Sequence, residues 1–214
     1  MTADRVPLPP TGRTATLVLA SGASERFGGF PKACLDIGGE PAVRRIARLA
    51  RDAGASPVVV VVGPHAPEVR RALGSEPVAI VENDGWAAGR TGSVQAGLER
   101  VPEGDDILLW PVDHPLVGPE TLADLADARI RDRLAIWFIP VFRGESGHPV
   151  LIGHEARSAV EALAPATPLR AVLPHLGPQV RRVPVHDPGV VANLDTPEAF
   201  RLAVDRWRGG WTVG

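Results

Sequence analysis

A chain of 214 residues that is 44% hydrophobic can bury one sizeable core, and α/β units of this size usually share a single domain. Its formal charge of −2 gives no electrostatic case for nucleic acid or an anionic membrane surface, because the arginines are balanced by acids. One cysteine, Cys34, excludes an internal disulfide, and with no Cys/His cluster for zinc the expected home is a reducing cytoplasm.

Met1 to Arg13 is polar and proline-bearing, and is expected to be a disordered tail. Residues 14–208 are expected to form the domain and 209–214 a second short tail. No later stretch approaches the ~20 apolar residues of a membrane span.

Leu17, Val18 and Leu19 form an unbroken apolar run, the pattern of a strand buried on both faces of a parallel sheet. The run stops at Ala20, Ser21, Gly22, Ala23 and Ser24, whose small side chains let a ligand meet backbone N–H groups, as phosphates do in glycine-rich loops. Arg26 and Lys32 add positive charge. The loop has neither the G-x-G-x-x-G spacing of dinucleotide folds nor the G-x-x-x-x-G-K-[ST] of P-loop enzymes, so another loop geometry is needed. The alternative is a surface turn with solvated cations. Against it stands one compositional fact: among 23 Lys and Arg residues, Lys32 is the one lysine. A compact ammonium on a flexible stem follows a phosphate where a planar guanidinium imposes a fork. Cys34, near Leu35 and Ile37, reads as packed rather than nucleophilic.

A helix is expected from Pro41, with Ala42, Val43, Ile46, Ala47 and Ala50 on one face and Gly54 closing it. Val58 to Val62 is a β-branched strand, which makes the order βαβ and the sheet parallel. It ends in Gly63, Pro64 and His65, with no acid for the ribose of a dinucleotide. After a helix near Pro67 to Leu73 and a strand over Val78 to Val81 comes a polar, glycine-rich loop from Glu82 to Ser93, where open α/β sheets place ligands. Ser93 reads as a candidate cap of the next helix.

Ile107 to Trp110 is a fourth strand that carries Asp113 just past its end, where a carboxylate either ligates a metal or caps the turn into Pro115. His114 beside it has no assigned role. A helix over Pro119 to Arg129, a strand over Leu134 to Phe142 and a loop over Gly144 to Pro149 follow, then Val150 to Ile152. Helices near Ala156 to Leu163 and Pro168 to Leu176 and a strand over Val180 to Val185 complete the sheet. Asp195, a second candidate acid, stands before Thr196 and Pro197, which cap and start the last helix. The expected fold class is α/β, a single Rossmann-like domain whose mostly parallel sheet is flanked by helices.

Five segments in order resemble the MobA/MocA-like nucleotidyltransferases: Leu19 to Gly28 with Lys32, Trp86 to Ser93, Asp113-His114-Pro115, Gly147-His148-Pro149-Val150, and Asn193 to Pro197. The resemblance implies an NTP held by Leu19, Ala20, Ser21 and Gly22 with Asn83 and Ser93, catalytic Arg26 and Lys32 on the phosphates, and Mg²⁺ held by Asp113 and Asp195. It implies a phosphorylated acceptor, of the molybdopterin type or a sugar phosphate; acceptor pockets are built from variable loops, here expected around Gly144 to His148, Gly147 and His148 included, and the C-terminal Trp207 and Trp211. In that family Leu-Ala-Ala-Gly goes with CTP and Leu-Ala-Gly-Gly with GTP, so Ser21, which has a Cβ, favours CTP. Departures are Ser21 itself, Phe27 where Met is usual, and His114 where Gln is common. Two other classes stay open, an NAD(P)-dependent oxidoreductase and a nucleotide-binding regulator without turnover.

Overall fold

The computed structural model describes residues 13–211, so apart from Arg13 the expected N-terminal tail lies outside the described residues, as does 212–214. Eight strands make one sheet: β1 (Thr14–Ala20), β2 (Val58–Val62), β3 (Ala79–Glu82), β4 (Asp106–Pro111), β5 (Trp137–Phe142), β6 (Glu145–Ser146), β7 (Val150–Ile152) and β8 (Val180–Pro184). Their order is β3-β2-β1-β4-β7-β5-β6, with β8 beside β5. The strands β3, β2, β1 and β4 run parallel, and β7 is antiparallel to both β4 and β5.

The β2 side chains are all valines and all buried, which requires cover on both faces. Successive strand residues point to opposite sides, and the core divides accordingly. Val18, Val60, Leu108 and Trp110 pack with α1 (Ala42–Asp52), α2 (Ala66–Leu73), α4 (Pro119–Arg131) and α7 (Pro197–Arg208). Leu17, Leu19, Val59, Val61 and Ile107 pack with α3 (Arg90–Leu98), α5 (Arg157–Glu161) and α6 (Leu173–Leu176). This is a single α/β domain with a mostly parallel mixed sheet between helical layers.

Local chemistry sets most boundaries. Pro41 stands at the cap of α1, and Gly54, at φ +94°, lies just past its end. Thr196 accepts the Ala199 N–H at 3.1 Å and Pro197 begins α7.

Several boundaries differ from expectation, three of them for a local reason. The fifth strand starts at Trp137 rather than Leu134, because the Asp132 carboxylate takes the N–H groups of Leu134 and Ala135 and folds that stretch into a turn. The region expected as one helix over Pro168 to Leu176 is a 3-10 turn followed by the short α6, with Pro174 at its start. Ser93 does not cap α3 but lies inside it; the helix opens after Gly89, whose φ of +139° and whose approach to the Pro165 carbonyl exclude a side chain. No helix among the described residues is long and apolar enough to cross a membrane.

Candidate active site

β1 and β4 run parallel and side by side, so their C-terminal ends open at one edge of the sheet. There the β1 loop, the β4 loop and the segment before α7 surround a cavity of about 380 Å³.

The β1 loop is held from below. The Asn83 N–H continues the sheet onto the Val62 carbonyl at 2.9 Å, and Gly63 packs so closely on the Ser21 carbonyl that a Cβ would stand 2.4 Å from it. His65 Nε2 meets the Ala23 carbonyl at 3.0 Å. Ser24, at φ 55°, then turns the chain into a 3-10 turn over Glu25–Phe27, and its hydroxyl accepts the Lys32 N–H at 3.1 Å. No atom lies within 4 Å of where a Gly22 Cβ would be, so the backbone there is open to a ligand.

Lys32 and Arg26 both reach Asp195. Lys32 Nζ lies 2.5 Å from Oδ1 and Arg26 Nη1 lies 3.1 Å from Oδ2, with Lys32 mostly buried and Arg26 mostly exposed. Burial pushes the Asp195 carboxyl up, but the hydrogen bond and charge of Lys32, aided by Arg26, outweigh it and hold the group below its ordinary value. Asn193 also donates to Asp195 at 3.2 Å.

Asp113 faces the same cavity from two residues beyond β4, and its carbonyl accepts the Leu194 N–H at 2.9 Å, which ties the two acid-bearing segments together. The Asp113 side chain is 10% exposed, yet its Oδ1 has no hydrogen-bond partner, and Arg90 stands 3.8 Å from Oδ2. A buried acceptor without a partner fits a cation site, and the carboxylates of Asp113 and Asp195 are a donor set that suits a hard divalent cation.

Ser21 Oγ and Ser93 Oγ are 2.8 Å apart, and Asn83 Nδ2 donates to Ser93 Oγ at 3.0 Å. Asn83 therefore acts on the cavity through Ser93, which lines it with Leu19, Ala20, Ser21 and Gly22.

Residues 16–181 match the MobA-like NTP transferase domain. The chain belongs to this family. It is a nucleotidyltransferase, taking an NTP and a small-molecule acceptor.

Among relatives of this NTP transferase, the nicotine blue oxidoreductase of Paenarthrobacter nicotinovorans is 30% identical over 148 residues, 67% of this chain and 72% of that protein. The molybdenum cofactor guanylyltransferase of Pseudomonas fluorescens is 28% identical over 207 residues, 94% of this chain and 96% of the relative. Among solved structures, Rv0371c from Mycobacterium tuberculosis superposes with a TM-score of 0.76 at 25% identity, covering 91% of this chain and 98% of that one. The same mycobacterial protein has been solved in complex with manganese.

The remaining residues that the sequence singled out lie elsewhere in the NTP transferase. Gly147 and His148 do not line the cavity. Gly147 packs on the Val190 carbonyl, 2.3 Å from where its Cβ would be, and the His148 N–H donates to that carbonyl at 2.9 Å. The His148 ring rests 4.9 Å, centroid to centroid, from that of His114. Burial, with His114 adding to it, pushes His148 down to about 3, and burial also lowers His114. Trp207 packs on Gly38 and beneath the Arg45 guanidinium, away from the cavity lining. Cys34 is half-buried, and burial raises its thiol further from reactivity.

Three contributors have no assigned role in the sequence reading: Trp86 and Arg90, which line the cavity, and His65, which props the loop. An arginine within the glycine-rich Glu82 to Ser93 stretch was a signal for the first two. His65 carries none, because its partner is 42 residues away.

Proposed function

We propose that this protein transfers an NMP, CMP in preference to GMP, from an NTP with Mg²⁺ to a phosphorylated small-molecule acceptor of the molybdopterin type, releasing pyrophosphate. The observation that carries the reading is the convergence of two loop cations and two acids on one cavity. No cavity serine there has an acid or imidazole hydrogen-bonded to it as an activating base, so direct attack by the acceptor is favoured over a covalent enzyme intermediate.

In the reaction an acceptor phosphate oxygen forms a bond to the α-phosphorus while the bond from that phosphorus to the β-bridging oxygen breaks, and the electron pair leaves with pyrophosphate. Charge on the phosphoryl oxygens is what must be stabilised. Lys32 and Arg26, now paired with Asp195, would stabilise that charge on the bound triphosphate, and Asp113 and Asp195 are the residues that would hold a divalent cation. The divalent cation, when bound, neutralises phosphate charge. The backbone around Gly22 brings N–H groups to the phosphates, and the Ser21–Ser93–Asn83 chain forms a wall beside the base. End-to-end likeness to the molybdenum cofactor guanylyltransferase supports the acceptor class, and the manganese complex of the mycobacterial relative supports a divalent cation.

The test is pyrophosphate release from each of the four NTPs with a phosphorylated pterin acceptor, with Mg²⁺ or with EDTA. Metal-dependent release with CTP leading is expected. No release from any NTP, or release unaffected by EDTA, defeats the reading. The likeness to the Paenarthrobacter oxidoreductase favours a second reading, hydride transfer, and consumption of NADPH under the same conditions would select it.

A further inference from the structure

Arg90 opens α3 and lines the cavity, and its guanidinium comes no nearer to Asp113 Oδ2 than 3.8 Å. That gap is too long for a hydrogen bond, which spans about 2.7–3.2 Å. Other helix arginines are engaged: Arg45 donates to the Pro115 carbonyl at 2.8 Å, and Arg157 donates to the carbonyls of Val101 and Leu98 at 2.7 and 2.8 Å. The Arg90 side chain is 62% exposed.

Its backbone, by contrast, is fixed. The Thr91 hydroxyl donates to the Thr167 carbonyl at 2.6 Å, and a Cβ on Gly92 would stand 3.1 Å from the Pro165 side chain. Ser93, three residues on and so on the same helical face, lines the cavity as well. A planar fork of donors is thus carried to the cavity on a rigid base.

Arg90 enters from the layer opposite to Lys32. Val94 and Leu98 of its helix pack on one face of the sheet, whereas Ala33, beside Lys32, and Val204 of α7, which follows Asp195, pack on the other. Asp113 lies past the end of β4 and meets both sides, Arg90 at its carboxylate and the Leu194 N–H at its carbonyl.

We propose that Arg90 binds the phosphate of the acceptor and orients it for attack, so that this side chain makes the site select phosphomonoesters over neutral acceptors. The proposal rests on the nucleotidyl-transfer reading given above. In-line displacement puts the attacking oxygen and the leaving pyrophosphate on opposite sides of the α-phosphorus. Lys32 and Arg26, both on Asp195, serve the leaving side; among the described residues Arg90 is the third cation of the lining, and it comes from the other layer. Attack brings two anions within bonding distance, and their repulsion opposes it unless the acceptor has a cation of its own. A guanidinium gives a phosphate two parallel N–H···O bonds where lysine gives a point charge, so the residue type suits a phosphate that must be oriented as well as held. Two phosphate oxygens then face the fork, and the third forms the bond to the α-phosphorus as pyrophosphate departs with the electron pair.

The test titrates inorganic phosphate by calorimetry into the full chain saturated with Mg²⁺ and the α,β-methylene analogue of CTP, which occupies Lys32 and Arg26 and cannot be cleaved. The parent is expected to bind phosphate and Arg90→Gln to bind it about 10- to 100-fold more weakly, as loss of a charge-assisted pair does, with Arg90→Lys between them. Affinity for the analogue is expected to be unchanged in both variants. Unaltered phosphate binding in Arg90→Gln, or a parent that binds the analogue but no phosphate, overturns the proposal. So does an equal fall in affinity for analogue and phosphate, which assigns Arg90 to the nucleotide. A parent that binds no analogue defeats the nucleotidyl-transfer reading itself and the proposal with it, so the two failures are told apart. Thermal melting of Arg90→Gln is expected to match the parent, and Arg90→Lys supplies the comparison if it does not.

Discussion

Asp106 opens β4 and Asp113 stands just beyond its end, so one strand carries a buried carboxylate at each edge of the sheet. Asp106 is saturated: Arg129 donates to both of its oxygens, at 2.9 and 3.2 Å, and the His154 N–H adds a third bond at 3.0 Å. Asp113 has one buried oxygen with no partner and a cation at arm's length from the other. Burial and charge are alike at the two positions; what differs is satisfaction. A saturated buried acid holds the fold, and an unsatisfied one beside a cavity is kept for a ligand.

Crossed substitutions break this comparison most directly. Asp113→Asn is expected to reduce turnover by about 10³-fold, the several kcal/mol that a metal contributes to charge stabilisation, and to leave thermal melting nearly unchanged. Asp106→Ala is expected to lower stability by ~3 kcal/mol, because Arg129 then loses the buried one of its two acids and keeps only the more exposed Glu155, and to leave the cavity residues in place. Activity corrected for the folded fraction, alongside denaturant melts, reads both effects. If Asp106→Ala inactivates the folded enzyme, or if Asp113→Asn unfolds it, the division between the two ends is wrong.

The ion pairs sharpen the same contrast. Arg129 is locked between Asp106 and Glu155, whereas Lys32 and Arg26 rest on an Asp195 that is partly open to solvent. Lys32→Ala is expected to reduce turnover by ~10²–10³-fold, as loss of one transition-state donor does, while melting changes by only about 0–1 kcal/mol. The acid titration gives an independent reading. A carboxyl lowered in the fold contributes stability above its unfolded value, ~3.9, and that contribution is lost as pH falls through the folded value. Removing Lys32 takes away the larger opposition to burial and leaves only Arg26 against it, so the Asp195 midpoint should move upward. Carboxyl carbon shifts followed by NMR in the parent and in Lys32→Ala measure this, and an unmoved midpoint removes Lys32 as the cause.

What the sequence made legible was local. The valine run of β2, the Thr196-Pro197 start of α7 and the small residues after Leu19 each report a backbone preference within a few positions. The site depends on separations that no window spans: Lys32 meets Asp195 across 163 residues and Ser21 meets Ser93 across 72. For the same reason Ser93 reads as a cap when only its neighbours are considered, although inside α3 its hydroxyl turns to Ser21. Trp207 reads as a pocket aromatic until Gly38 and Arg45 are folded against it. The Asp106–Arg129 pair carries no local signal at all, since Asp106 precedes an apolar strand like any surface acid.

The smallest expected effect tests the proposed wall beside the base. Unlike Asp113, this part of the site is saturated: Asn83 donates to Ser93, and Ser93 and Ser21 share a hydrogen bond, so the Ser21 side chain is held in one place before any nucleotide arrives. On the proposed reading, a fixed Cβ narrows the space there and would disfavour a purine more than a pyrimidine. Ser21→Gly removes that bulk and leaves Ser93 its bond from Asn83, so the ratio of CTP to GTP affinity is expected to fall by about 1–2 kcal/mol, the range for one contact of this kind. Ser93→Ala keeps the Cβ of Ser21 but frees its hydroxyl, and it separates shape from hydrogen bonding. If shape decides, Ser93→Ala leaves the ratio within about twofold of the parent; if the hydroxyl decides, it shifts the ratio as far as Ser21→Gly does. Dissociation constants of both nucleotides by calorimetry, with the divalent cation present, distinguish these outcomes. An unchanged ratio in Ser21→Gly assigns base choice to the segment that carries Trp86 and Arg90.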